Sequence, residues 1–220
     1  MGADQKVVFV LELIVAIGPL AVYFLALGLL NSRPHPYLIG LRADFLLLSI
    51  AFFPLMVVPL AALAARGWLG SWFGGVAAMA LVLWWAIQSG LGSGWVIYNI
   101  DGRHCLDAVG RACRRLGWET TEVGERIVVT SPKLEIQIST FSILRNVTLN
   151  VTISDGHELP GEVDRLGEAL ARELDAEALL PSPTGAGLVM VGSILLAVPM
   201  GYLAHHVEAV VEVVRRIFLA

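Results

Sequence analysis

The sequence predicts an α-helical integral membrane protein with four transmembrane helices. Between the third and fourth it carries an inserted α+β two-layer sandwich of order β-α-β-β-β-β-α. Three observations carry that expectation. Hydrophobic residues make up 56% of the 220-residue chain and charged ones 15%, where a soluble domain carries roughly a quarter charged. The apolar excess is gathered into runs at about 7–30, 45–65, 69–89 and 186–204. Each run is near the ~20 residues that cross a hydrocarbon core as a helix. From about 95 to 180 the pattern changes to short alternating segments broken by turn residues. The division is therefore a membrane domain at 1–94, an extramembrane domain at 95–180, and a linker, last span and C-terminal amphipathic helix (206–219) within 181–220.

The first run, Val7–Leu30, is too long for a signal-peptide core, and no small-residue cleavage site ends it. Gly18-Pro19 marks a kink within it. Pro34 and Pro36 stop the helix, Asn31–Asp44 forms a short loop, and Asp44 is placed to cap the second span. Pro54 and Pro59 predict that this second span is bent or locally unwound. Ala65–Trp72 is a tight turn into the third span. Trp68 and Trp72 at one end, and Trp84, Trp85 and Trp95 toward the other, read as aromatic belts.

Next comes QSGLGSGWVIYNIDG, Gln88–Gly102, with glycines at every second position. A phosphate-cradling loop needs a strand before its glycines and a helix after them. Here the order is reversed, and no Gly-Lys-Ser/Thr follows. The glycines are read as ending the third helix and turning the chain out of the membrane, with Trp95 and Tyr98 near the headgroups.

Within the extramembrane domain, VIYNI is a strand and Asp101 an N-cap for a helix ending near Gly117. Short strands follow at Trp118–Val123, Arg126–Thr130, Leu134–Thr140 and Arg145–Ile153, then a helix at Glu162–Ala178. Val147, Leu149, Val151 and Ile153 alternate with Asn146, Thr148, Asn150 and Thr152, and Leu134, Ile136 and Ile138 with Glu135, Gln137 and Ser139. One face is apolar and is expected to be covered by the two helices, while the other is neutral-polar and wet. Such a domain should fold on its own. The polar face of Asn146, Thr148, Asn150, Thr152, Glu135 and Gln137 is the candidate interaction surface, with plain solvent exposure as the competing explanation. The last span has small residues at Gly185, Gly187, Gly192, Ser193 and Gly201, which permit close helix contact. After it, Val207, Val210, Val211, Val214 and Phe218 share a helical face opposite Glu208, Glu212 and Arg215. That segment either lies in the membrane interface or continues the last span.

The remaining candidates are sparse. Glu12 is an intramembrane carboxylate, a functional position by default, or else near enough to the interface to snorkel or pair with Lys6. His205, His206 and Glu208 are weak metal candidates that lack a third ligand in sequence reach and are explained as interfacial polar residues. Asp155 and His157 fit a turn, and the Asn146 and Asn150 sequons follow from strand alternation. Cys105 and Cys113, eight apart in one helix, would stand about 12 Å apart, beyond the ~7 Å a disulfide allows. They are therefore free thiols, which fits a reducing compartment. No catalytic set, cofactor or metal is expected, and the net charge of −4 excludes a nucleic-acid surface.

Arginine outnumbers lysine, and with abundant Ala, Gly and Val this points to GC-rich bacterial coding. Arg33, Arg42, Arg103, Arg111, Arg114 and Arg115 lie on the side of the domain, against Lys6, Arg66, Arg215 and Arg216 on the other. That bias puts the domain in the cytoplasm of a multi-pass cell-membrane protein. Three function classes remain: a non-enzymatic accessory or scaffold subunit whose domain docks a partner, a transporter or channel component, and a membrane-embedded enzyme. The expected partners are the lipid bilayer and either another protein or further copies of the chain.

Overall fold

The computed structural model describes residues 3–65, 74, 77, 80, 81, 84, 85, 87, 92–141, 145–153, 160–177 and 183–219. In chain order the elements are α1 (Ala3–Asn31), β1 (Tyr37–Gly40), α2 (Leu41–Ala65), β2 (Ser93–Tyr98), α3 (Gly102–Arg115), β3 (Thr120–Val123), β4 (Arg126–Val129), β5 (Leu134–Phe141), β6 (Asn146–Ile153), α4 (Pro160–Asp175), α5 (Pro183–His205) and α6 (Val207–Leu219). They form two compact units. One comprises Met1–Leu27, Leu46–Leu83 and Gly187–Ala220; the other comprises Gly28–Phe45 and Trp84–Ala186.

The first unit is helical. Three helices among the described residues are long and apolar enough to cross a membrane: Gln5–Asn31 with 27 residues, Leu41–Ala64 with 24 and Pro183–His205 with 23. Buried side chains here are few and mostly small, among them Val7, Ala16, Ala21 and Ala51, while Phe9, Val15, Ile50, Phe53 and Val198 are exposed. The expected third span, about 69–89, lies mostly outside the described residues; Gly74, Ala77, Ala80, Leu81, Trp84, Trp85 and Ile87 within it are helical and exposed. The helix α2 stays helical through Pro54 and Pro59 rather than unwinding, since each ring removes one ladder bond and leaves its neighbours in place. Where α5 meets α1, a Cβ on Gly192 would stand 2.8 Å from the Ala21 carbonyl oxygen and 2.9 Å from Leu25 Cγ, so only glycine fits. Gly187 and Gly201 have open space instead.

The second unit is a six-stranded antiparallel sheet of order β1-β2-β6-β5-β4-β3. Its alternation places Ile97, Ile127, Val129, Leu134, Ile136, Ile138, Val147, Leu149 and Val151 on one face. The helices α3 and α4 cover that face with Cys105, Val109, Cys113, Leu166, Leu170 and Leu174. Asp101 caps α3 by accepting from the His104 amide at 2.9 Å. The helix ends in a Schellman turn, with Gly117 at φ +75° donating to the Arg114 carbonyl and Trp118 donating to that of Cys113. Arg111 bonds Glu173 at 3.2 Å and Glu177 at 2.5 Å, clamping α3 to the end of α4. The Glu177 bond, opposed by partial burial, pushes the Arg111 guanidinium further above its ordinary value.

Two sequence expectations are corrected here. The Asn31–Asp44 stretch is not all loop, because Tyr37–Gly40 pairs with Trp95–Tyr98 as the edge strand β1. And Gly94 belongs to the sheet rather than to a helix-ending turn, while Trp95 and Tyr98 pack within the domain. Gly94 lies inside β2, where a Cβ would run into the Leu149 carbonyl oxygen. Trp95 packs on the core, where its ring leaves room for no Cβ at Gly167 of α4. Tyr98 is buried.

Candidate functional site

The sheet face turned away from α3 and α4 is the surface on which the candidate residues meet. Register sets its rows: Tyr37, Tyr98, Asn146 and Phe141 in one; Ile39, Val96, Thr148 and Ser139 in the next; then Gly94, Asn150, Gln137 and Arg126; then Thr152, Glu135 and Val128. All six predicted interaction residues therefore share one face, because directly paired residues point the same way. They are not equally open. Gln137 and Thr152 are exposed, whereas Asn146, Thr148, Asn150 and Glu135 are half-buried. Glu135 is held by Arg126 at 2.9 Å, and the Thr152 hydroxyl donates to the Glu135 carbonyl at 3.2 Å.

Sequence alternation missed the apolar side chains in the same rows. Phe141 lies beside Asn146, Val128 beside Glu135, and Val123 pairs with Arg126. All three are exposed. The face is thus mixed, with exposed apolar groups on its β3–β4 side and at the end of β5, and buried Val96 and Tyr98 on its β1–β2 side.

Its other side is closed by the segment that joins α1 to α2. The Tyr98 hydroxyl donates to Asp44 Oδ1 at the start of α2. Asn99, fully buried with φ +59°, donates through Nδ2 to the Arg33 carbonyl at 2.7 Å. Arg33 stands over the Tyr37 ring at 5.5 Å, and His35 Nδ1 donates to the Glu177 carbonyl at 3.1 Å. A glycine at 185 completes the junction: a Cβ there would meet Ser32 Oγ and, at 2.8 Å, the Gly28 carbonyl oxygen. Apart from the local Arg33–Tyr37 contact, these pairings join residues more than fifty positions apart, which sequence spacing could not reveal.

Comparison of the chain with protein-family models, curated proteins and solved structures gives no match.

Glu12 is exposed on α1. His205 and His206 each turn Nδ1 onto a carbonyl one helical turn back, those of Gly201 and Tyr202, at 2.9 Å. His206 also stacks on the Tyr202 ring with centroids 4.3 Å apart. Glu208 begins α6 beyond the break at His206. Among the described residues no group of three His, Cys, Asp or Glu side chains could hold a metal ion. In α6 the expected apolar face is partly outward: Val207 and Val211 are exposed and Val213 is buried. Asp155 and His157 lie outside the described residues.

Cys105 and Cys113 are free and buried. Burial, reinforced by the charges of Glu177 and Asp101, pushes the Cys105 thiol up to about 12. Burial pushes Cys113 to about 11 against the opposing charge of Arg114. Neither is a nucleophile at neutral pH. Burial alone would raise Asp101, but the hydrogen bonds and charge of His104 outweigh it and hold the carboxyl below its ordinary value.

Proposed function

We propose that the protein is a multi-pass membrane subunit without catalytic activity of its own, which holds its α+β domain at the cytoplasmic surface and docks a protein partner on the outer sheet face. The observation that carries this reading is the pairing of β1 with β2. If α1 and α2 both span, Tyr37–Gly40 lies on one side of the bilayer and Ala65 on the other. The chain must then return before Ser93 to pair with β1, and the apolar stretch at about 69–89 supplies that crossing. A fourth crossing by α5 leaves both ends of the described chain on the far side. The exposed apolar side chains of α1, α2 and α5 support insertion, since water would oppose so large an apolar surface.

Docking is favoured by the mixed outer face, where exposed Phe141, Val128 and Val123 sit among short polar side chains that lose little entropy on contact. Thr148 is half-buried, so the informative substitutions are at exposed Gln137 and Thr152. Gln137→Arg, which sets a like charge opposite Arg126, with Thr152→Arg, which removes the bond to Glu135, should cost about 1 kcal/mol and leave the domain folded. The pair should abolish recovery of the partner in a native pull-down read by mass spectrometry. Retention of every partner by the folded variant would remove this face from consideration. A partner that proves to be the same chain would make the face a homo-oligomer interface.

A second reading, as a channel or transporter component, draws on Glu12. Its exposure on a helix long enough to span means that a polar path through it would form between copies rather than inside one. Flux in liposomes that is lost in Glu12→Gln would favour this reading over the first.

A further inference from the structure

We infer that the groove between the C-terminal turn of α3 and α4 is a binding site for a phosphate monoester. The groove has a volume of about 230 Å³ and is lined by Arg115, Leu116, Arg165, Glu168, Ala169 and Arg172. On α4 the residues 165, 168, 169 and 172 fall on one stripe, so Arg165 and Arg172 stand two turns, about 10 Å, apart along a wall. Arg115 lines the opposite side from the end of α3. Leu116 and Ala169 form an apolar floor, with Ala169 in the buried core.

Charge and geometry select the ligand class. The lining carries three guanidinium groups against one carboxylate, and Glu162 and Glu173 just outside it balance the other two charges, so the ligand has to out-compete exposed ion pairs rather than meet a free positive excess. A phosphate monoester carries −1.5 to −2 at pH 7, with three strongly accepting oxygens. A carboxylate is satisfied by a single guanidinium fork, whereas three forks from two helices suit a tetrahedral dianion. The apolar floor suits the carbon stem of the ester.

The present partners of these arginines are replaceable. Arg165 holds Glu162 at 3.3 Å and Arg172 holds Glu168 at 3.6 Å, both as neighbours on the outer side of one helix, where such pairs contribute little. Arg115 holds Glu173 at 2.9 Å, but Glu173 is also bonded by Arg111. Arg115 can therefore turn into the groove without leaving that carboxylate unpaired.

The phosphate could belong to a soluble metabolite or to a lipid headgroup, and one titration tests both. The full chain in phosphatidylcholine nanodiscs is titrated with glycerol 3-phosphate by calorimetry, and again in nanodiscs containing phosphatidic acid. Binding is expected in the first discs and should weaken as sodium chloride is added. Its loss in the second identifies the lipid as the occupant, and its persistence identifies a soluble ester. Arg165→Gln with Arg172→Gln should weaken it by roughly tenfold or more at unchanged melting temperature. Should that variant fail to fold, Arg165→Lys with Arg172→Lys keeps the charge and removes the forks, and binding should still fall. No binding of glycerol 3-phosphate in phosphatidylcholine discs, equal binding by the variants, or equal binding of glycerate would overturn the inference.

Discussion

At Gly94 the sheet leaves no room for a side chain, because the obstacle is the Leu149 carbonyl of the neighbouring strand and backbone cannot swing aside. At Gly92 a Cβ would meet only Asn150 Oδ1, at 3.1 Å, the end of a side chain that can turn. Gly94→Ala should therefore cost about 1–3 kcal/mol, as overpacking does, and Gly92→Ala clearly less. Thermal melting of the two variants side by side checks the order. Asp101 makes a second local test. Removing its cap by Asp101→Ala should destabilise by about 1 kcal/mol. Because its folded carboxyl lies below the ordinary value, its contribution is present above about pH 4 and is lost as pH falls through the lower folded value. The thiols run the other way. Cys105 and Cys113 hold their protons more firmly when folded, so their contribution is full below the ordinary value of 9.0 and is lost as pH rises toward about 12 and 11, respectively. Maleimide should leave both unmodified at neutral pH until the domain unfolds. For that reason they cannot report which side of a membrane they occupy.

Among the elements, legibility in sequence followed periodicity. The helix α3 could be read because its cap, apolar stripe and terminal glycine are all local, and β5 and β6 because strict alternation has one reading. The strand β1 could not: it has four residues, follows two prolines, and gains its meaning only from β2, far along the chain. Trp95 and Tyr98 escape sequence reading for a related reason, since aromatic residues next to an apolar run suggest headgroups while their actual contacts are long-range. The six candidate residues of the docking face were legible through alternation, but Phe141, Val128 and Val123 joined them only through register. The role of β1 can be measured. A fragment of residues 92–177 retains every buried residue of the helix-covered core and loses only Leu38, packed against it from β1, so it should fold with dispersed amide signals while lacking the partner of β2. Adding a peptide of residues 31–44 should raise its melting temperature and slow amide exchange in β2. A peptide without effect would show that β1 contributes nothing to the sheet. Among the helices, Gly192→Leu should separate α5 from α1, because its Cβ would press on the Ala21 carbonyl. The expected readout is a lower melting temperature in detergent, with Gly201→Leu, at open space, as the neutral control.

For the whole molecule, sheet pairing and membrane crossing constrain one another. If α1 and α2 both span, as proposed, the β1–β2 pair requires the chain to return between residues 65 and 93. The docking proposal depends on that arrangement, since it decides which side the outer sheet face meets. The most direct test places single cysteines at Ser71 and at exposed Thr121, with buried Cys105 and Cys113 left silent. An impermeant maleimide is then applied to right-side-out and inverted membrane vesicles. The account predicts labelling of Thr121→Cys only in inverted vesicles and of Ser71→Cys only in right-side-out ones. Labelling of both positions from the same side would contradict it.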